Sequence, residues 1–394
     1  MKPFVVLEPY LRRLSRGWTS VALRRISKLV EDVNRTGEAP LLSLTIAGLL
    51  TDRAEEVQPP SSEYLLKYGI VRSGNLVVNP MWLPGGAIGV STTVGAVSPE
   101  YRIYQFRSGV EPRFIHHLVR SDPYIRQYRL LFRAETTFDR RVTKEDFGEL
   151  PLILPPIAAQ GAIADYLDIE TVRIDALIAK KREMVKVLDK AFDSYRASEV
   201  LQGFNPVTGV GDIPEGWKVM SLGVLVELQR GHDLPSDVRR EGPVPVVSSG
   251  GVSGWHDSAA ARGPGVITGR YGTVGAVYYV EGDYWPLNTT LYVKSFRGCE
   301  PRWTFYLLAT LPLDIDAAKS AVTGINRNVV GALRTPVPPP DIQREIAARL
   351  DAYSSLVTRT VALLKSQINL LTERRQALIT AAVTGAIDIP EVAA

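Results

Sequence analysis

Between Arg102 and Lys144 the chain carries Arg107, Arg113, Arg120, Arg126, Arg129, Arg133, Arg140 and Arg141, with His116 and His117 among them. A guanidinium is a planar fork that donates two parallel hydrogen bonds, which suits phosphates and guanine edges. Acidic residues are interspersed through the same segment. The whole chain is only weakly basic, with 46 Lys and Arg against 42 Asp and Glu, so the cluster hints at a polyanionic ligand without establishing one. Signatures of catalysis are weaker still. Glu281 and Asp283 have no lysine at close spacing to complete a Mg2+-dependent nuclease centre. No P-loop, H-E-x-x-H or G-x-S-x-G stretch occurs. A single cysteine, Cys299, excludes an internal disulfide and a cysteine-cluster zinc site.

The elements that must position these side chains come in two copies. Gly17-Trp18 with Leu23 is echoed by Gly216-Trp217 with Leu222, and Gly86 to Val90 (GAIGV) by Gly272 to Ala276 (GTVGA). Glu111-Pro112-Arg113-Phe114 returns as Glu300-Pro301-Arg302-Trp303, and PPIAAQGAIADYLD from Pro155 as PPPDIQREIAARLD from Pro338. Four echoes in one order mark an internal repeat. The offset falls from 199 positions at the tryptophans to 183 at the proline pairs, so the first copy carries extra loop residues. Trp18 and Trp217 read as core anchors, and the glycine pairs Gly86/Gly89 and Gly272/Gly275 as matched tight turns or bulges.

Each copy has a front part of short strands and tight turns, such as GVITGRYGTVGAVYYV, joined by helices from Phe114 to Tyr128 and from Trp303 to Leu311. Each then has a long helical back part. In the second, Leu350, Val357, Leu364, Leu371 and Leu378 stand seven apart, which keeps one seam facing a partner helix. The first copy answers with Leu167, Ile174, Lys181, Leu188 and Tyr195. The expectation is an antiparallel coiled coil with seam residues Leu167, Ile174, Leu188, Leu350, Val357, Leu364 and Leu371. About 40 helical residues make a rod of roughly 60 Å, and a pseudo-twofold caliper would result. The expected fold is α+β, with two tandem α/β domains at 1–154 and 217–337 and spacer helices at 155–203 and 338–385. A linker at 204–216 and a tail at 386–394 complete the division. At 394 residues the chain suits two domains of ordinary size. The apolar run from Leu150 to Ala164 is cut by Pro151, Pro155 and Pro156 and is too short to span a bilayer. A cytoplasmic protein without membrane segments is expected.

The tryptophan near each domain start, the G-x-x-G turn and the P-P-x-x-x-Q-x-x-I-A-x-x-L-D lead resemble the specificity subunit of Type I restriction–modification systems. The closing RRQALITAAVTGAIDI from Arg374 is similar to that family's usual ending. The resemblance covers essentially the whole chain. It implies two target-recognition domains, each reading half of an asymmetric bipartite site on double-stranded DNA. It further implies helices that separate them and dock two methyltransferase subunits, with restriction/translocase subunits joining the assembly. The chain itself would bind no cofactor; S-adenosylmethionine, Mg2+ and ATP would belong to partner subunits. The first copy departs from the second at Ala159, Gly161 and Ala162, where the second has Ile342, Arg344 and Glu345.

Asn79-Pro80-Met81-Trp82 is close to the Asn-Pro-Pro-aromatic motif by which adenine methyltransferases hold a flipped base, but its third residue differs and no glycine-rich cofactor loop precedes it. A strand-end turn is the better interpretation, and the chain is expected to be non-catalytic. If the copies read different sequences, specificity lies where they diverge. That reasoning selects Arg126, Arg129, Arg133, Arg140 and Arg141 in the first copy. In the second it selects Arg270, Tyr271, Lys319, Asn326, Arg327 and Asn328. The alternative from another class is a bivalent protein–protein scaffold or inhibitor that never touches DNA.

Overall fold

A computed structural model describes residues 4–52, 60–131, 141–315 and 324–389. Arg133, Arg140 and Lys319 lie outside the described residues. The chain divides into two compact units, Met1–Lys181 with Ser366–Ala394, and Arg182–Lys365.

Unit 1 begins with α1 (Glu8–Leu11), then β1 (Thr19–Ala22), α2 (Leu23–Ile26) and β2 (Ser27–Leu29) in direct succession. The hairpin β3 (Leu42–Leu44) and β4 (Leu50–Asp52), and then α3 (Ser62–Leu65), lead to β5 (Gly69–Val71) and β6 (Leu76–Val78). A 3-10 turn at Leu83–Gly85 connects to β7 (Ile88–Val90), followed by β8 (Gly95–Val97) and β9 (Arg102–Phe106). The main sheet is antiparallel in the order β2-β9-β6-β7, and β6 is buried on both faces. Helices α4 (Pro112–Val119), α5 (Asp122–Leu131) and α6 (Lys144–Gly148) precede β10 (Pro151–Leu154), which pairs back antiparallel onto β1. The single helix expected from Phe114 to Tyr128 is therefore two. Pro123 has no N–H to bond the Val119 carbonyl and its ring would clash with that carbonyl in a continuous helix, so α4 ends at Val119 and α5 starts afresh with Pro123 in its first turn. From β10 the chain enters α7 (Ile157–Leu201).

Unit 2 repeats the plan with β11 (Lys218–Ser221), α8 (Leu222–Leu225) and β12 (Glu227–Arg230). The side sheet of β13 (Val244–Ser248), β14 (Gly251–His256) and β17 (Trp285–Pro286) replaces the smaller pairings of unit 1. With β15 (Gly265–Gly269), β16 (Val277–Val280) and β18 (Thr290–Ser295) the main sheet runs β12-β18-β15-β16, the same order as in unit 1. After α9 (Pro301–Thr310) and α10 (Arg327–Ala332), β19 (Arg334–Val337) pairs with β11, and the chain enters α11 (Pro340–Val383). The repeat read from sequence is thus a repeat of topology.

Both long helices contribute to both units, and within each unit they run antiparallel. In unit 1 Arg375 pairs with Asp175 at 2.9 Å and the Lys181 ammonium donates to Gln367 at 2.6 Å. In unit 2 the Tyr353 ring meets Phe192 and Tyr195, and Arg349 pairs with Glu199 at 2.6 Å. Along the expected seam Leu167, Ile174, Leu350, Val357 and Leu364 are buried, and Leu188 and Leu371 half-buried. The ends of the seam do more than line a coiled coil. Leu167 joins the unit 1 core with Ile163 and Ala164 of α7 and Ile379, Ala382 and Val383 of α11. Leu350 joins the unit 2 core with Ile346 and Ala347 of α11 and Val200 of α7. Each core is closed by the start of one long helix and the end of the other, because the apolar stripe continues past the helix pair onto the β-sheet layer.

Candidate nucleic-acid interface

A four-residue constellation fastens each head to its own helix. Glu111 caps α4 by accepting the Arg113 N–H, with Pro112 at the first helical position, and Glu300 caps α9 by accepting the Arg302 N–H, with Pro301 there. The buried Gln160 accepts the Glu111 N–H at 2.9 Å and donates to the Pro155 carbonyl at 2.9 Å. Gln343 does the same with the Glu300 N–H at 2.8 Å and the Pro338 carbonyl at 2.9 Å. Arg113 reaches Asp168 at 3.1 Å, and Arg302 reaches Asp351 at 2.7 Å. The Glu-Pro-Arg-aromatic and PP-Q-D echoes are therefore one structural joint seen twice. This corrects the grouping of Arg113 with a ligand-facing arginine cluster: its guanidinium is occupied by Glu111, Asp165 and Asp168.

Arg120 leaves that cluster as well. Its guanidinium donates to the carbonyls of Gly86 (2.8 Å), Ile88 (2.9 Å) and Ile46 (3.3 Å). Burial, with Arg375 nearby, lowers its pKa to about 10. It clamps the β3–β4 hairpin tip to the turn between β6 and β7. His116 packs close by, accepting the Val90 N–H on Nδ1 at 3.1 Å, and burial drives its pKa down to about 3.

The glycine pairs are not equivalent, although their sequences match. Gly86 is the left-handed cap of the 3-10 turn (φ 96°), while Gly89 lies inside β7, where a Cβ would stand 1.9 Å from the Gly48 carbonyl oxygen. Gly272 (φ 78°) and Gly275 (φ 80°) both lie in the turn between β15 and β16. Both pairs serve backbone geometry, but in different places. Trp18 and Trp217 pack partly buried against the two cores, as expected of anchors.

The described residues among those chosen for divergence lie at corresponding corners of the two heads. In unit 1, α5 lies against the 3-10 turn; Arg129 donates weakly to the Pro84 carbonyl at 3.4 Å, and the Val142 N–H reaches the Pro80 carbonyl. Arg126, Arg129 and Arg141 are exposed, Arg126 paired with Asp122 at 2.8 Å and Arg141 with Glu100 at 2.9 Å. In unit 2 Arg270 stacks on Tyr271 at 4.5 Å in the β15–β16 turn. The Ile325 N–H donates to the Arg270 carbonyl, which brings Asn326, Arg327 and Asn328 beside that turn. The Asn326 side chain accepts the Asn328 N–H as the cap of α10, so in the free protein it is engaged; Arg327 and Asn328 are exposed. Among the described residues no group of three His, Cys, Asp or Glu could hold a metal ion, and no helix is long and apolar enough to cross a membrane.

Sequence reasoning weighed Trp82 only as the last residue of a methyltransferase-like motif and read that stretch as a strand-end turn. In Asn79-Pro80-Met81-Trp82 the Asn79 side chain accepts the N–H groups of Met81 (3.1 Å) and Trp82 (3.3 Å), a local turn of the kind expected at that strand end. Trp82 itself is 62% exposed. A large aromatic among turn residues, outside any apolar periodicity, was the available signal.

Two α+β heads of one sheet order, each bolted to long antiparallel helices, define a two-headed protein class. Residues 214–371 match the family described as the Type I restriction modification DNA specificity domain. The specificity subunit of the Escherichia coli type I restriction enzyme EcoprrI is 25% identical over 145 residues, 35% of this chain and 36% of that protein. The chain thus aligns with about a third of that relative's length. A solved chain from a study of assembly and conformational transition in the type I R-M system superimposes with a TM-score of 0.76 at 18% identity, over 95% of this chain and 100% of that one. The HsdS subunit of Thermoanaerobacter tengcongensis gives 0.54 at 18% identity, over 95% and 98%. Residues 214–371 thus resemble a Type I restriction modification DNA specificity domain, and the chain shares its fold with solved chains of type I systems.

Proposed function

We propose that this chain is the DNA sequence-specificity subunit of a Type I restriction–modification complex. Each head reads one half of a bipartite, asymmetric site, and the long helices set the half-site spacing and dock two methyltransferase subunits; restriction/translocase subunits join the same assembly. The chain is non-catalytic and cytoplasmic and binds no cofactor itself; S-adenosylmethionine, Mg2+ and ATP act on the partner subunits. The observation that carries this reading is the matched corner. In two heads of one sheet order, exposed arginines on α5 and ahead of α6 border the β6–β7 turn of head 1. Arg270, Tyr271 and the Asn326–Asn328 segment border the matching β15–β16 turn of head 2, which supports this reading. Arginine and asparagine there can pair bidentately with guanine and adenine edges, while others neutralise phosphates.

The test is selection from a randomised duplex pool by the complex with co-expressed methyltransferase subunits. A bipartite motif is expected from the wild-type chain. Substituting Arg129, Arg141 and Arg327 together by alanine should weaken binding and reduce its salt dependence. A complex that enriches no sequence would sink the function and leave the bivalent scaffold standing. An unchanged motif and salt slope in the triple variant would sink the residue assignment alone.

A further inference from the structure

Resting on that reading, we infer that Trp82 and Ile46 form a rigid apolar tip by which head 1 contacts the bases, not the phosphates, of its half-site. Single exposed apolar residues are ordinary, but two of them fixed on one corner and rimmed by polar, cationic side chains have the character of an interaction site. Trp82 is 62% and Ile46 70% exposed. Neither sits on a loose loop. Leu83, the residue after Trp82, is fully buried in the unit 1 core. The Trp82 carbonyl accepts the N–H groups of Gly85 and Ala87, and its own N–H is held by Asn79.

Ile46 sits at the β3–β4 hairpin tip, and this tip is pinned to the same turn. A Cβ on Gly86 would lie 3.1 Å from the Ile46 carbonyl oxygen, and Arg120 binds the carbonyls of Ile46, Gly86 and Ile88 together. Arg120 is therefore the positioning residue of the tip. The occupant is duplex DNA because the flank is cationic: Arg129 projects from α5, which packs on this turn, and Arg126 on the same helix is exposed beside its Asp122 partner. The corresponding turn of head 2 also carries an aromatic, Tyr271, with Arg270 stacked on it. An apolar side chain framed by arginines can touch thymine methyls or wedge at a base step while the arginines hold the backbone. The two roles separate experimentally, since only a phosphate contact releases counterions.

The test compares Trp82→Ala, Ile46→Ala, Arg120→Lys and Tyr271→Ala in the complex with co-expressed methyltransferase subunits, using a randomised duplex pool and then the selected duplex over a range of salt. Trp82→Ala should weaken binding by about tenfold or more and make one half of the selected motif degenerate. Its slope of log affinity against log salt should stay at the wild-type value, whereas Arg129→Ala should lower that slope by about one. Ile46→Ala and Arg120→Lys should blur the same half-motif, and Tyr271→Ala the other half. Trp82→Ala selecting the wild-type motif with wild-type affinity would overturn the inference, as would a Trp82→Ala loss that comes with a reduced salt slope. If the wild-type complex itself enriches no motif, the proposed function fails first, which is a distinct result.

Discussion

At the joint of head 1 an imidazole meets the aspartate: His117 Nε2 lies 2.8 Å from Asp168. At the same joint of head 2 the partner is a phenol, with the Tyr306 hydroxyl donating to Asp351 at 2.6 Å. Arg113 faces mostly solvent and carboxylates, whereas Arg302 lies against the rings of Tyr279, Phe305 and Tyr306 within 4.5–5.4 Å. The two heads thus keep a geometry (capped helix, buried glutamine, arginine on aspartate) while exchanging the chemistry that fills it. The hydrogen from His117 holds the Asp168 carboxyl below its ordinary range, and burial pushes the Tyr306 hydroxyl above its own. What the repeat preserves is the attachment of a head to a helix.

The comparison can be broken most forcefully at the core. Phe114 and Trp303 hold matching places and both are fully buried; Phe114→Ala and Trp303→Ala should each cost about 3–5 kcal/mol, measured by denaturant unfolding. Trp303→Phe, which installs the head 1 residue, should cost far less, because the Trp303 indole N–H is buried with no partner among the described residues and losing it relieves a penalty. Next come Gln160→Ala and Gln343→Ala. Each orphans a backbone N–H and a carbonyl, at about 1–3 kcal/mol per group, and the costs in the two heads should be similar. A large cost in one head alone would show that the joints are not equivalent.

Acid should separate the heads. His116 titrates at about 3 in the folded protein, below its unfolded value of about 6.5. Its contribution to stability is therefore complete above pH 6.5 and is lost as pH falls from there toward 3, at up to about 1.4 kcal/mol per pH unit. The matching position in head 2 is Phe305, which does not titrate. Hydrogen exchange between pH 6.5 and 4.5 should show unit 1 loosening faster than unit 2, and His116→Asn should reduce that difference. The smallest effect is expected at the half-exposed Arg113: Arg113→Ala should cost less than about 1 kcal/mol. Arg302→Ala should cost more, since it also loses the aromatic stack.

The long helices leave a strong trace in the sequence, because an apolar residue at every seventh position from Leu350 to Leu378 outweighs local accidents. The repeat was legible because its landmarks are joint residues, and a joint tolerates few side chains. The short strands left less trace. A three-residue strand such as β7 carries no period, so GAIGV and GTVGA were paired although they sit in a strand and in a turn. The arginine cluster misled in part for a related reason. Spacing along the chain does not tell whether a guanidinium faces solvent, as Arg129 does, a carboxylate, as Arg113 does, or three carbonyls, as Arg120 does.

The closing of unit 1 by the end of α11 bears on how the chain is made. Unit 2 is a contiguous stretch, Arg182–Lys365, and can complete its core as soon as it leaves the ribosome. Unit 1 is begun first and finished last. Leu23, Phe114 and Leu167 wait for Ile379, Ala382, Val383 and Ile389, and Ser15 for the Gly385 carbonyl. A nascent chain stalled after Lys365 would hold one finished head and one open one, with its unfilled apolar face available to a chaperone and its half-site unread.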